Sequence, residues 1–151
     1  MTDFVGVKIA LLVDDKLVMI LRDNKPDLRF AGMWDFPGGG REGSETPVEC
    51  AMREVEEELL LKFPESSIVW QKEVESMHDP SLKAYFIVAK LSEENIKPIK
   101  LGEEGQEWVL MSVDDFFSRD DVVPKLKDRL RAYLSRDTIA KQALGSTWSL
   151  D

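Results

Sequence analysis

The tetrapeptide Thr46-Pro47-Val48-Glu49 limits what this chain can become more than any other stretch of it. A hydroxyl that can cap, proline at the first helical position and a glutamate three residues on that can reach back together start a helix. Phe63-Pro64 must stop it, because the residue before proline is pushed toward extended geometry and proline cannot continue the ladder. Val48, Ala51, Met52, Val55 and Leu59 form one apolar stripe of this helix, which must face a core. Glu54, Glu57 and Glu58, at i, i+3 and i+4, stand about 5 to 6 Å apart on a different face. Core and carboxylates therefore occupy separate sides.

Strand patterns surround the helix. Phe4 to Val13 and Leu17 to Arg22 are rich in Val, Ile and Leu and are separated only by Asp14, Asp15 and Lys16, which reads as two strands and a short turn. A polar loop over Asn24 to Met33 leads to a short extended piece at Trp34-Asp35-Phe36, and Pro37-Gly38-Gly39-Gly40 is expected to break it. Ile68 to Val74, Leu82 to Leu91 and Trp108 to Met111 read as further strands. The second of these is so continuously apolar around Ala84 to Val88 that burial of both faces is expected. Val123, Leu126, Leu130, Tyr133 and Leu134 recur at helical spacing and predict a helix over Val122 to Leu134, with Pro124 in its first turn. Thr138 to Leu144 would extend it by a turn or two. The order predicts a mixed β-sheet packed between helices, in one domain over residues 1–145 with a short tail at 146–151 around Trp148.

At 151 residues, 43% of them hydrophobic and 32% charged, the chain has enough apolar surface for one core and a soluble exterior. Its formal net charge of −9 repels polyanions and anionic membrane surfaces, so long nucleic acids are not expected partners. A small phosphate-bearing ligand remains open, provided a metal ion or a few aimed cations neutralise it locally. Cys50 is the only cysteine and His78 the only histidine, which excludes an internal disulfide and a thiolate or imidazole zinc cage. No apolar run reaches the roughly 18 residues of a membrane span and no secretion signal opens the chain, so a cytoplasmic protein is expected. Cys50 is expected to pack within the helix, and His78 to be a solvated loop residue.

Three like charges on one helix face repel one another, and they lie toward the negative half of the helix dipole. An isolated run of this kind is usually just a solvated acidic face. A divalent cation reverses the argument, since magnesium takes a few carboxylate oxygens, keeps several waters and completes its shell with substrate phosphates. Gly38, Gly39 and Gly40 lie just upstream, where a loop of unusual backbone angles could turn toward the same site.

Residues 39 to 61, GGREGSETPVECAMREVEEELLL, resemble the Nudix box, written G-x5-E-x7-R-E-U-x-E-E-x-G-U with U apolar. Gly39, Glu45, Arg53, Glu54, Val55, Glu57, Glu58 and Leu61 all fit. Leu60 stands where the pattern has its second glycine, a left-handed helix stop that Gly adopts cheaply. Altered geometry after Leu59, rather than loss of metal binding, is the expectation. The likeness covers most of residues 4 to 134: Asp35-Phe36-Pro37-Gly38-Gly39 looks like the family's approach to the box, and Gly105-Gln106-Glu107-Trp108 with Asp114-Asp115-Phe116 resembles MutT-type members.

The resemblance implies the Nudix fold, an α/β/α sandwich, and a role for each matching residue. Glu57 and Glu58 would hold Mg2+, with Mn2+ able to substitute, helped by the Gly38 carbonyl; Glu54 would be metal-linked and a candidate base. Glu104 matches a further metal-site glutamate, with Glu103 and Glu107 as alternatives. Arg53 would orient a neighbouring glutamate, and Glu45, with Gly39, would brace the loop. Arg22 is a candidate for phosphate contact, as is Arg41; Phe36 for base stacking, although core packing competes; and Asp120 for reading a base, although capping a helix explains Asp120 or Asp121 equally well.

The implied activity is magnesium-dependent cleavage of the pyrophosphate linkage of a nucleoside diphosphate derivative. The favoured substrate is a nucleoside triphosphate, normal or oxidised, converted to monophosphate and pyrophosphate by a monomer or homodimer. A nucleotide sugar, a dinucleoside polyphosphate, a capped RNA end and a non-catalytic nucleotide-sensing module remain the alternatives.

Overall fold

The computed structural model of the protein describes residues 3–144. Seven strands form one sheet: β1 (Gly6–Val13), β2 (Lys16–Leu21), β3 (Trp34–Asp35), β4 (Gly38–Gly40), β5 (Ile68–Glu75), β6 (Lys83–Leu91) and β7 (Glu107–Ser112). The main path runs β3-β2-β1-β6-β5, with β4 also on β1 and β7 also on β2. β1 and β6 are parallel over Val7↔Tyr85 to Val13↔Leu91, and the other pairs are antiparallel, so the sheet is mixed. Its helices are α1 (Pro47–Leu59), α2 (Glu93–Ile96), α3 (Val113–Ser118) and α4 (Leu126–Leu144). The tail at 146–151 lies outside the described residues.

Strand periodicity divides the core in two. Val7, Ile9, Leu11 and Val13 of β1 meet Cys50, Ala51, Val55 and Leu59 of α1 on one face. Ala10 and Leu12 turn the other way, toward Phe36, Phe116 of α3 and Leu126, Leu130 and Tyr133 of α4. Burying a Val or Leu side chain contributes about 1.5–3 kcal/mol, which is what holds a 13-residue helix that is marginal alone. In β6, Phe86 to Ala89 are fully buried, as their unbroken apolar run predicts. Helices on both faces of a mixed sheet give the expected α/β/α layering. Among the described residues, no helix is long and apolar enough to cross a membrane.

α1 begins as read. Thr46 Oγ1 accepts from the Glu49 N–H at 3.1 Å, and Glu49 Oε1 accepts from the Thr46 N–H at 2.8 Å. Its end is different: the helix stops at Leu59, well before Pro64, and Leu60 takes φ 49° and ψ 37°. Leucine thus adopts the left-handed conformation expected of a glycine, and the geometry is kept rather than altered. Two contacts compensate by using carbonyls that a helix end leaves open: the Lys100 N–H donates to Leu59 O at 2.9 Å and the Gly102 N–H to Glu58 O at 2.8 Å. Leu61 and Phe63 then bury their side chains.

Two further expectations are corrected. Gly38–Gly40 do not end the extended chain but form β4 against Gly6–Lys8, an approach so close at Gly38 that a Cβ would meet Val7 O at 2.2 Å. The C-terminal helix starts at Leu126, so Pro124 precedes it. Trp34 N–H donates to Asp121 O and Val123 N–H to Trp34 O, which spends the backbone of that segment on β3. Val122 and Val123 keep their apolar pattern because they are buried in the same core.

Leu60 is 52% exposed, so its side chain contributes little to the core while its left-handed backbone costs about 1–2 kcal/mol. Leu60→Gly should therefore raise stability by about 0.5–1 kcal/mol net of glycine's larger unfolded-state entropy. Thermal unfolding should show a rise of about 2–4 °C in Tm for each kcal/mol gained; a lower Tm would refute the strain.

Candidate active site

The end of α1, β4 and the 101–104 segment enclose a cleft of about 900 Å³. Glu54, Glu57 and Glu58 line it together with Arg22, Gly38, Gly39, Glu103 and Glu104. The structure thus gathers the helix carboxylates and two of the three alternative glutamates; Glu107, in β7, is not part of the lining. Gly102 explains how the segment comes so close, since a Cβ there would meet Glu57 O at 2.3 Å. Glu54 lies directly against Gly39, where a Cβ would meet its Oε2 at 2.2 Å.

Arg53 organises this cluster. Its Nε and Nη2 donate to the two carboxylate oxygens of Glu45 at 2.6 and 3.1 Å, a two-point clasp. The same Nη2 donates to Gly40 O at 2.8 Å, and Nη1 donates to Glu57 Oε1 at 3.0 Å and lies 3.5 Å from Glu54 Oε2. The hydrogen bonds from Arg53 hold the Glu45 carboxyl down to about 2. Sign matters here: a lowered carboxyl contributes stability above its ordinary range and loses it only as pH falls toward about 2.

The acids deeper in the cleft behave oppositely. Burial raises the Glu54 carboxyl above its usual value and pushes Glu58 up to about 8, against the pull of Lys8 and of the Gly38 N–H. That N–H donates to Glu58 Oε1 at 2.8 Å, so the observed contact of Gly38 with the cluster is through its amide. Among the described residues no three His, Cys, Asp or Glu side chains converge into a ready-made cage. Arg53 draws Glu57 aside and Gly38 holds Glu58. The donor set is nonetheless all oxygen, and Glu58, raised by burial, is an acid that a divalent cation would deprotonate. Glu54, Glu57 and Glu58, with Glu103 or Glu104 opposite, fit a hard divalent ion.

A buried charge cluster that the sequence did not reveal supports the wall. Lys8 Nζ and Arg22 Nη1 both donate to Asp35 Oδ2, at 2.7 and 3.1 Å, and Asp35 Oδ1 is buried without a partner. Lys8 interrupts the apolar run of β1, and a lysine there signals a partner; its partner, 27 residues away, was not readable. Arg22 is also fixed through Nε to Arg29 O at 3.0 Å. Phe36 is not available for base stacking: it is 1% exposed, with its ring stacked on Phe86 and Phe116. Asp120 is exposed and lies outside the cleft lining, Asp121 pairs with Arg119 at 2.7 Å, and α4 starts only at Leu126, so neither caps it. Arg41 stacks over Phe4 at 4.4 Å. Cys50 is buried, its thiol raised to about 12 chiefly by burial. His78 is exposed.

A sheet between helices, with one helix presenting spaced carboxylates beneath a glycine strand, is the arrangement expected from the box. The chain belongs to the NUDIX domain family, whose model matches residues 3–133. It is 30% identical over 80 residues to an RNA pyrophosphohydrolase of Marinomonas sp. (strain MWYL1), a stretch covering 53% of this chain and 45% of that protein. The chain thus spans under half the length of this relative. Its fold is similar to that of a MutT protein from Methanosarcina mazei Go1, with TM-score 0.67, 20% identity and coverage of 91% and 96% of the two chains. It is also similar to a bifunctional NMN adenylyltransferase/ADP ribose pyrophosphatase from Francisella tularensis complexed with AMP and a Mn ion, with TM-score 0.70, 16% identity and coverage of 90% and 42%.

The raised Glu58 carboxyl has a testable sign. A group that binds its proton more tightly when folded destabilises the fold as pH rises from about 4.5 through about 8. In metal-free buffer, the Tm of the natural protein should fall over that window. Glu58→Gln, which keeps an oxygen for the Gly38 amide, should flatten the fall and be the more stable by several degrees at pH 9. Parallel curves for the two proteins would show that Glu58 is not buried as described.

Proposed function

We propose that the protein hydrolyses the pyrophosphate linkage of a nucleoside diphosphate derivative. The preferred substrate is a nucleoside triphosphate, with a normal or oxidised base, cleaved to monophosphate and pyrophosphate. The observation that carries this reading is the cleft in which Glu54, Glu57 and Glu58 share one helix face beneath Gly38 and Gly39. When bound there, Mg2+, or Mn2+ in its place, would neutralise phosphate charge and lower the pKa of water. Glu54, once ionised, would take a proton from water, and Glu58 would keep the backbone tether of Gly38 that fixes its position. Arg53 holds Glu57 and the glycine strand in register, while Arg22, anchored on Asp35, offers a cation at the cleft wall.

Family membership supports a hydrolase, and the named activities of the relatives keep RNA ends and ADP-ribose in view as substrates. The net charge of −9 works against a long RNA, whose phosphates require cations on the protein. A cytoplasmic protein acting on small nucleotides, as monomer or homodimer, remains the reading. A non-catalytic sensor would not need the full set of carboxylates.

The test is product identification after incubation with Mg2+ and a panel of normal and oxidised nucleoside triphosphates, nucleotide sugars, dinucleoside polyphosphates and 5′-triphosphate RNA. Pyrophosphate and monophosphate from a triphosphate are expected, with turnover abolished by chelator. Glu54→Gln and Glu58→Gln should each lower kcat by roughly 10²–10⁴, the usual contribution of a general base or a comparable group, with the fold intact by circular dichroism. Orthophosphate without pyrophosphate would move the cleavage position. No turnover of any panel member would leave the sensor.

A further inference from the structure

Arg129 of α4 is 8% exposed, yet among the described residues no carboxylate lies within 4.0 Å of it. Its Nη2 donates to the Glu75 carbonyl at 2.8 Å, and none of its nitrogens is a fully enclosed atom lacking a partner. The remaining donors therefore face space. A cation is not withdrawn from water without an acceptor to meet it.

That space is a pair of cavities with Arg129 in the lining of both. One, of about 230 Å³, runs along Gly38–Gly40 and is lined by Lys8, Arg22 and His78 but by no carboxylate, in a chain of net charge −9. The other, of about 410 Å³, is walled by Trp70, Val74, Met77, Pro80 and Phe86. Two acids on its rim are engaged elsewhere, Glu73 with Lys83 at 3.3 Å and Asp128 with Arg131 at 2.9 Å, while Glu75, also on the rim, offers Arg129 its carbonyl and lies beyond 4.0 Å with its carboxylate. The backbone that positions Arg129 is constrained, since its N–H donates to Lys125 O at 3.1 Å and Lys125 itself sits at φ 79°.

An apolar-walled recess suits a flat heterocycle better than a phosphate, which the neighbouring cationic cavity suits. Arginine carries five donors and no acceptor, so the edge that faces it must consist of acceptors. Guanine offers O6 and N7, both acceptors, whereas adenine sets an amino donor at the same corner. We infer that Arg129 is the base-reading residue of this protein and selects a 6-oxopurine over adenine, with the ring against Trp70 and Met77 and the phosphates leading past Lys8 and Arg22 to the glycine strand. The inference rests on the nucleotide-hydrolase reading only for the kind of ligand, because it concerns binding and not turnover.

Calorimetric titration of the metal-free protein with GMP, IMP, AMP and 7-deaza-GMP tests it without any mutation. GMP and IMP should bind about tenfold or more tighter than AMP, with 7-deaza-GMP in between, as a two-point arginine contact implies. Arg129→Lys keeps the charge but not the fork; it should bring GMP and AMP to similar affinities while its Tm and circular dichroism report the fold. Equal binding of GMP and AMP by the natural protein, no binding of either at millimolar concentration, or an undiminished preference in folded Arg129→Lys would overturn the assignment. So would inorganic phosphate shifting the Arg129 Nε–H resonance as far as GMP does, which would make the recess an anion site. Loss of base preference counts against Arg129, whereas absence of turnover in the substrate panel counts against the hydrolase.

Discussion

One guanidinium joins the parts on which the rest of the site depends. Arg53 bonds both oxygens of Glu45, the carbonyl of Gly40 and the carboxylate of Glu57, so the loop before α1, strand β4 and the carboxylate face of the helix move as a unit. Two-point geometry explains why arginine and not lysine is required: a single ammonium could hold Glu45 or Gly40 but not fix the plane between them. The capped helix start and the apolar stripe of α1 bring Arg53 to the right height. The guanidinium then converts helix packing into loop geometry.

Charge is distributed with economy around this clasp. The chain as a whole is acidic, and burial raises Glu54 and Glu58 in the cleft, yet the inner wall of the sheet carries Lys8, Arg22 and Arg129 near a single buried carboxylate, Asp35. Lys8 and Arg129 line only the cavity without acids, Glu54, Glu57 and Glu58 line the cleft, and Arg22 reaches both across the β4 glycines. A polyphosphate threaded between them would meet bound metal on one side and fixed positive charge on the other. Neither side alone matches a strongly anionic ligand in water.

Much of this was legible from local rules. The cap at Thr46, the hairpin at Asp14-Asp15 and the doubly buried run of β6 follow from hydrogen bonding and periodicity within a few residues. The i, i+3, i+4 spacing placed Glu54, Glu57 and Glu58 together before any coordinates. What escaped depended on distant partners. Leu60 adopts a glycine conformation because the 100–102 segment satisfies the helix end. α4 starts late because Val123 is bonded to Trp34. α2 and α3, capped by Ser92 and Ser112, are too short to establish a period. For Phe36 the aromatic character alone favours core packing over base stacking, and its packing against Phe86 and Phe116 bears that out. Nothing local marks Arg129 as a charge that the fold encloses.

The docking of Lys100 and Gly102 onto the last carbonyls of α1 divides the cleft into a permanent half and an exchangeable one. Glu54, Glu57 and Glu58 are carried by a helix whose angles are dictated by the core. Glu103 and Glu104 ride on a strap held by the amides of Lys100 and Gly102, by Ile99 and Leu101 packed on the core, and by Gln106 on the end of β2. Changes at the exposed positions of that strap would leave the helix undisturbed, provided the amide contacts at Lys100 and Gly102 and the packing of Ile99 and Leu101 survive. A lineage could thus retune the outer ligands and the shape of the mouth while inheriting the inner acids unchanged.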